Sequence, residues 1–306
     1  MSIVIVPAVK SNRISVMTLV AWVVMLAVSI LPDVIWFELT EAIPTWLYPV
    51  KVAFAVVLLM STLIWPTLNP LRSLAGVVFV LLSLDWGVRE FYSLLRWEAW
   101  LVGSDRFIHD MLVVQGPRFT LALLMTGFLW FLTRNRHDFF LALGKLDAAA
   151  NPIPLIMMRP SSWRILGPFL SIALAGGLTV FMVLFGNPIV AALVVKALPL
   201  RPFVFLFAAM NAYGEEMIYR ASFLAALENV VGSRYALLIT ATFFGIMHYF
   251  GMPYGMLGVV MSALVGWLMG KAMLETRGFF WAWCIHFCLD VAVFFFIAMG
   301  TVTPGG

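Results

Sequence analysis

The stretch NAYGEEMIYRASF, Asn211 to Phe223, sets two adjacent carboxylates, Glu215 and Glu216, and the guanidinium of Arg220 in a very apolar chain. Of its 306 residues, 63% are hydrophobic and 11% charged, against about 25% charged in a soluble domain. So few charges cannot clothe a water-soluble core, whereas lipid accepts apolar side chains on every face of a helix. The fold class that follows is all-α: a polytopic integral membrane helical bundle. In that setting each charge near the bilayer centre costs ~2.5–3.5 kcal/mol, so this trio would cost roughly 8–10 kcal/mol unless paired and buried. The group needs a reason to be there.

A membrane helix takes about 20 apolar residues. Such runs lie near 15–32, 46–65, 73–92, 118–133, 165–186, 203–222, 235–249, 255–274 and 278–299, which predicts eight to nine transmembrane helices. Residues 1–133 read as N-terminal transmembrane helices and 134–164 as a polar, Pro-punctuated connector. Residues 165–306 form a second membrane region. The mixed stretch 94–117 is expected to be an interfacial helix. The first apolar run is long for a cleaved leader and is expected to stay as a membrane helix. Lys10, Arg13, Arg72, Arg134, Arg136, Lys145, Arg159, Arg164, Arg220, Arg234, Lys271 and Arg277 gather in alternate connections. Positive charge marks the cytoplasmic side, so the N-terminus is expected there, in a multi-pass protein of the cell membrane. The net charge of +4 is scattered rather than patched, and nucleic acid is not an expected partner. Cys284 and Cys288, four apart in an apolar run, read as packing residues.

Helix geometry divides the charged trio. Glu216 and Arg220 are four residues apart, share a face, and can form an ion pair. Glu215 is turned by ~100° and lacks that partner, so it reads as the free carboxylate available for general-base work. Downstream membrane helices carry His248, in ATFFGIMHYFGMP, and His286, in WAWCIHFCLDVAVFF, with Asp290 one turn further on. Intramembrane ionisable residues face the bundle interior or a water-filled cavity. Convergence of Glu215, Glu216, Arg220, His248, His286 and Asp290 on one site is the economical reading. Asp105, His109 and Asp110 fall in the polar loop and His137 in the charged connector, where solvation accounts for them.

Three motifs in this order carry a resemblance. EEMIYR fits EExxxR, from Glu215 to Arg220. FGIMH fits FxxxH, from Phe244 to His248. HFCLD fits HxxxN/D, from His286 to Asp290. The pattern resembles the CAAX-prenyl protease and bacteriocin-processing family (CPBP, or Abi), over roughly residues 150–300, and makes 165–306 its catalytic membrane core. The resemblance implies a glutamic-type intramembrane endopeptidase acting on a membrane-associated or lipidated protein or peptide. It implies that Glu215 and His248 activate a water, that His286 and Asp290 stabilise the oxyanion, and that Glu216, Arg220 and Phe244 support the site. Asp stands where Asn would be able to donate a hydrogen bond. An ionised Asp290 cannot donate, so it is either protonated or, as preferred here, orients and charges His286.

Other readings compete. Glu215, His248 and His286 could bind zinc with a fourth position open, although no HExxH helix is present; otherwise no cofactor is expected. A non-catalytic, peptide-binding or bacteriocin-immunity protein is a second alternative. A transporter is the weakest, since no internal repeat is seen.

Overall fold

The computed structural model describes residues 15–153, 159–185 and 191–302. Lys10, Arg13 and part of the 134–164 connector lie outside the described residues. Twelve α-helices are described: α1 (Val16–Val28), α2 (Leu31–Thr40), α3 (Leu47–Ile64), α4 (Arg72–Leu94), α5 (Trp97–Trp100), α6 (Arg106–Thr133), α7 (Trp163–Phe185), α8 (Ala191–Ala197), α9 (Arg201–Glu215), α10 (Ser222–Met247), α11 (Met256–Thr276) and α12 (Phe280–Thr301). One short antiparallel ladder pairs Ala149–Ala150 with Ser161–Ser162.

Among the described residues, seven helical stretches are long and apolar enough to cross a membrane, or eight when α1 and α2, bent by 50°, count as one span. The protein is a multi-pass membrane protein. Its surface chemistry agrees: Leu94, Phe131, Ile165, Ile172 and Leu264 point outward, while Glu216 and Arg220 are wholly buried. Lipid is as apolar as a core, so the sorting rule of soluble proteins is reversed.

The longest stretch, Ala191–Met247, holds 57 residues, too many for one crossing. Gly232, with φ 79° and ψ 156°, breaks it, in a conformation that a side chain would resist. Gly232 stands 17 residues after Glu215 and 16 before His248. At 1.5 Å per residue the two arms are each about 25 Å long, so a backbone that folds back there returns His248 to the level of Glu215.

Close helix approach fixes the remaining positions. A Cβ on Gly245 would stand 2.5 Å from the Val259 carbonyl oxygen, so α10 and α11 meet backbone to backbone just before His248. On α11, Gly266 and Gly270 leave the space that the Arg220 side chain fills. Gly167 lets the Trp281 ring lie against α7, bringing α12 in. The connector is tied to α11 by Glu275, which accepts from Asn151 Nδ2 and Trp163 Nε1, each at 2.8 Å, and pairs with Lys271.

The expected interfacial helix over 94–117 is not what forms. Only α5 is separate. Asp105 caps α6, its Oδ1 accepting from the Phe107 amide at 2.9 Å, and α6 then runs 28 residues through Pro117. An interior proline is tolerated in a membrane helix because neighbouring groups satisfy the freed backbone. The consequence is that Gln115 and Arg118 sit on a spanning helix, beside the site.

Candidate active site

At Glu216 the helix changes pitch. α9 passes into a six-residue π-helical turn, Glu216–Ala221, before α10 resumes. Such turns insert a residue into the α-helical ladder, and here the insertion lies under the two glutamates.

Glu216 forms a fully buried ion pair with Arg220. Glu216 Oε1 also receives Nδ1 of His286 at 2.8 Å. The Arg220 guanidinium lies 4.5 Å from the centre of the Phe244 ring, a favourable cation–π contact. The same ring meets His286 edge-on at 5.8 Å and His248 at 4.4 Å. Phe244 is thus the apolar wedge between both histidines and the arginine.

Glu215 turns the other way. Its Oε2 is buried and has no hydrogen-bond partner among the described residues. It stands 3.7 Å from Nε2 of His248 and 3.7 Å from Nε2 of His286, too far for a direct hydrogen bond. On its other side Arg118 Nη1 is 3.9 Å from Oε1. His248 Nδ1 donates to the Phe244 carbonyl at 2.8 Å, which fixes the ring's orientation. His286 Nε2 also lies 3.6 Å from Asp290 Oδ2.

Asp290 opens a relay. Asn211 Nδ2 donates to its Oδ2 at 3.0 Å, and Gln115 Nε2 donates to Asn211 Oδ1 at 3.0 Å. Asn211 lies one turn before Glu215, so helix periodicity alone could have found it. Gln115 and Arg118 come from α6, and no spacing rule links that helix to α9. The structure therefore brings together Glu215, Glu216, Arg220, Phe244, His248, His286 and Asp290, and adds Asn211, Gln115 and Arg118. His109 stays apart, next to Asp110 at 3.1 Å in an exposed position. Among the described residues, no group of three or more His, Cys, Asp or Glu side chains is arranged to hold a metal ion.

Residues 196–292 match the family model of the type II CAAX prenyl endopeptidase Rce1-like proteins. Over this stretch the chain is similar to that family. No curated protein and no solved structure matches the sequence. The Rce1-like family is one of intramembrane CAAX-type endopeptidases acting on membrane-associated proteins. The Rce1-like segment begins at the end of α8 and runs into α12, so it contains all the motif residues and Asn211. Gln115 and Arg118 lie outside it.

The cluster also separates two cavities. One, of about 280 Å³, is walled by His248, His286 and Asp290 and otherwise by apolar side chains such as Leu174, Val265 and Leu289. The other, of about 480 Å³, is walled by Glu215, Asp85, Arg89, Gln115, Arg118 and Asn211 among others. Glu215 and the histidines are thus approached from different sides, one mainly apolar and one rich in charge.

Proposed function

We propose that the protein is a glutamic-type intramembrane endopeptidase in which Glu215 and His248 activate a water against a peptide bond of a membrane-associated or lipidated protein or peptide. The observation that carries this reading is the setting of Glu215. Its buried, unpartnered Oε2 faces the outer nitrogens of both histidines at 3.7 Å. An orphan acceptor inside a membrane calls for a donor.

The His248 tautomer supports the assignment. Since Nδ1–H is given to the Phe244 carbonyl, the neutral ring turns a lone pair toward Glu215. Two facing acceptors suit one water that gives a hydrogen to each. The water oxygen attacks the carbonyl carbon while Glu215 takes its proton. Collapse of the tetrahedral intermediate breaks the C–N bond, and the proton passes from Glu215 to the leaving amine.

The negative charge that develops on the carbonyl oxygen needs a donor aimed at it. His286 takes that role through Nε2. With Nδ1 engaged by Glu216, a proton on Nε2 makes the ring cationic, and Glu215, Glu216 and Asp290 supply counter-charge. Asp290 accepts from Asn211 and flanks the ring, which favours orientation of His286 over direct donation. Glu216 and Arg220 hold the architecture. The arginines and lysines of alternate connections favour a cytoplasmic N-terminus.

The test compares protein termini in cells expressing wild type or Glu215→Gln at matched membrane levels. New termini with wild type alone are expected, unchanged when a zinc chelator is added to isolated membranes. Identical terminus profiles would remove the protease reading and leave a peptide-binding role. Loss of cleavage on chelation, restored by zinc, would replace Glu215 as general base with a metal mechanism.

A further inference from the structure

The histidine cluster accounts for one side of Glu215. Nothing in the water-activating scheme accounts for the other, where the 480 Å³ cavity carries two arginines and two amides.

The charges there are unequally satisfied. Asp85 receives Arg89 Nη2 at 2.7 Å and the Tyr48 hydroxyl at 2.6 Å. Arg118 has only Glu215, at 3.9 Å, and makes no hydrogen bond among the described residues. Its side chain is 57% exposed and lines the cavity. A guanidinium has five donors in a planar fork, which matches a carboxylate.

The amides point the same way. A carboxylate such as Asp290 accepts, so Asn211 presents its Nδ2 there and turns Oδ1 to Gln115 Nε2. Gln115 lines the cavity, and its Oε1 is then left over: buried and without a partner among the described residues. A cationic fork with no hydrogen bond and only a long contact to Glu215, on the same helix as an unpartnered acceptor, complements a peptide carboxylate with a neighbouring N–H. The cavity shares Arg89, Val113 and Pro117 with a wider recess of about 600 Å³ that carries Arg96 and Glu98.

We propose that this cavity is a substrate subsite for a peptide carboxylate, with Arg118 as the anion-binding residue and Gln115 Oε1 as acceptor for a peptide N–H. The inference deepens, and rests on, the endopeptidase reading. It assigns the apolar part of the substrate to the histidine side and a carboxylate to the Arg118 side of the same catalytic wall. That carboxylate is either the C-terminal one of the substrate or an acidic side chain within it.

The test is a binding measurement that does not need turnover. A fluorescent apolar pentapeptide is made as the free acid, as the C-terminal amide, and as amides carrying an internal Glu or Gln. Each is titrated by anisotropy onto the full-length protein in nanodiscs. Wild type is expected to prefer a carboxylate form over its neutral match by about tenfold, as for one charge-assisted hydrogen bond. The free acid leading identifies a terminal carboxylate, and the Glu peptide leading identifies a side chain. Arg118→Ala should erase the preference and Arg118→Lys should retain part of it. His248→Ala, on the opposite wall, should keep it while losing proteolysis. Equal binding of acid and neutral forms to wild type, no binding of any form, or an undiminished preference in Arg118→Ala would overturn the assignment. A preference that persists while wild type and Glu215→Gln give identical termini would instead overturn the proteolytic reading and leave a carboxylate-binding site.

Discussion

Replacing Arg220 by methionine should unfold the protein at a markedly lower temperature, and a second change at Glu216 should restore much of the loss. Both side chains are wholly buried, so the single variant leaves a carboxylate without its main counter-charge. Breaking one side of a buried pair costs about 3–5 kcal/mol. Glu216 keeps its hydrogen bond from His286 Nδ1 at 2.8 Å, which argues for the lower half of that range. Loss of the guanidinium over Phe244 adds ~0.5–2 kcal/mol. The total is about 4 kcal/mol, or roughly 8 °C at about 2 °C per kcal/mol for a large domain. In Glu216→Gln/Arg220→Met neither position buries a charge, and the methionine still occupies the space beside Gly266 and Gly270. The assay is thermal unfolding of the purified protein in one detergent, read as a double-mutant cycle. A recovery of at least half the loss is expected. An Arg220→Met protein as stable as wild type, or two losses that simply add, would refute the claim that the pair neutralises itself inside the membrane.

Asp290→Asn should keep activity within about tenfold of wild type, because an amide oxygen can still accept from Asn211 and the family pattern admits Asn; a loss of a hundredfold or more in peptide cleavage would show that the carboxylate itself is required. Gly245→Val should lower both stability and cleavage, since its Cβ would meet the Val259 carbonyl at 2.5 Å and Ala263 Cβ at 2.7 Å; overpacking of this kind costs about 1–3 kcal/mol, and an unchanged melting temperature would mean that α10 and α11 do not touch there.

The helical membrane fold was legible because an apolar run of about 20 residues has the length of a bilayer crossing and suits little else. The pairing of Glu216 with Arg220 was legible for a local reason: a spacing of four puts two side chains on one face whatever the rest of the fold does. Three features were not. The π-helical turn under the glutamates leaves no compositional trace, since EMIYRA is an ordinary helical sequence. The break between the runs 203–222 and 235–249 was expected, but ENVVGSRYALL does not say which residue makes it, and it falls at Gly232. Arg118 and Gln115 were hidden because Asp105 starts a helix where charge and tryptophan suggested an interfacial segment, and Pro117 does not stop it. Asn211 was available to the helix rule but has no charge, so only its hydrogen bond to Asp290 marks it.

In the proposed mechanism, a separation of structural from reactive charge accounts for two adjacent glutamates in place of one. A single carboxylate serving as base in the bundle interior would need either a cation, which blunts its basicity, or a desolvation cost that the fold must absorb. Here the two demands fall on neighbours. Glu216 takes the buried cation, and the Arg220 guanidinium in turn packs on Phe244. Glu215, one residue earlier on the helix, is placed between the two cavities, with its nearest basic groups at 3.7–3.9 Å and none in direct hydrogen-bonding contact. Three carboxylates, those of Glu215, Glu216 and Asp290, stand against the guanidiniums of Arg118 and Arg220, so one proton on the His286–Asp290 pair would balance the cluster. In the proposed mechanism that proton lies where an oxyanion would form. Donating it to the oxyanion would then need no charge from outside the site, an advantage that a low-dielectric setting makes large.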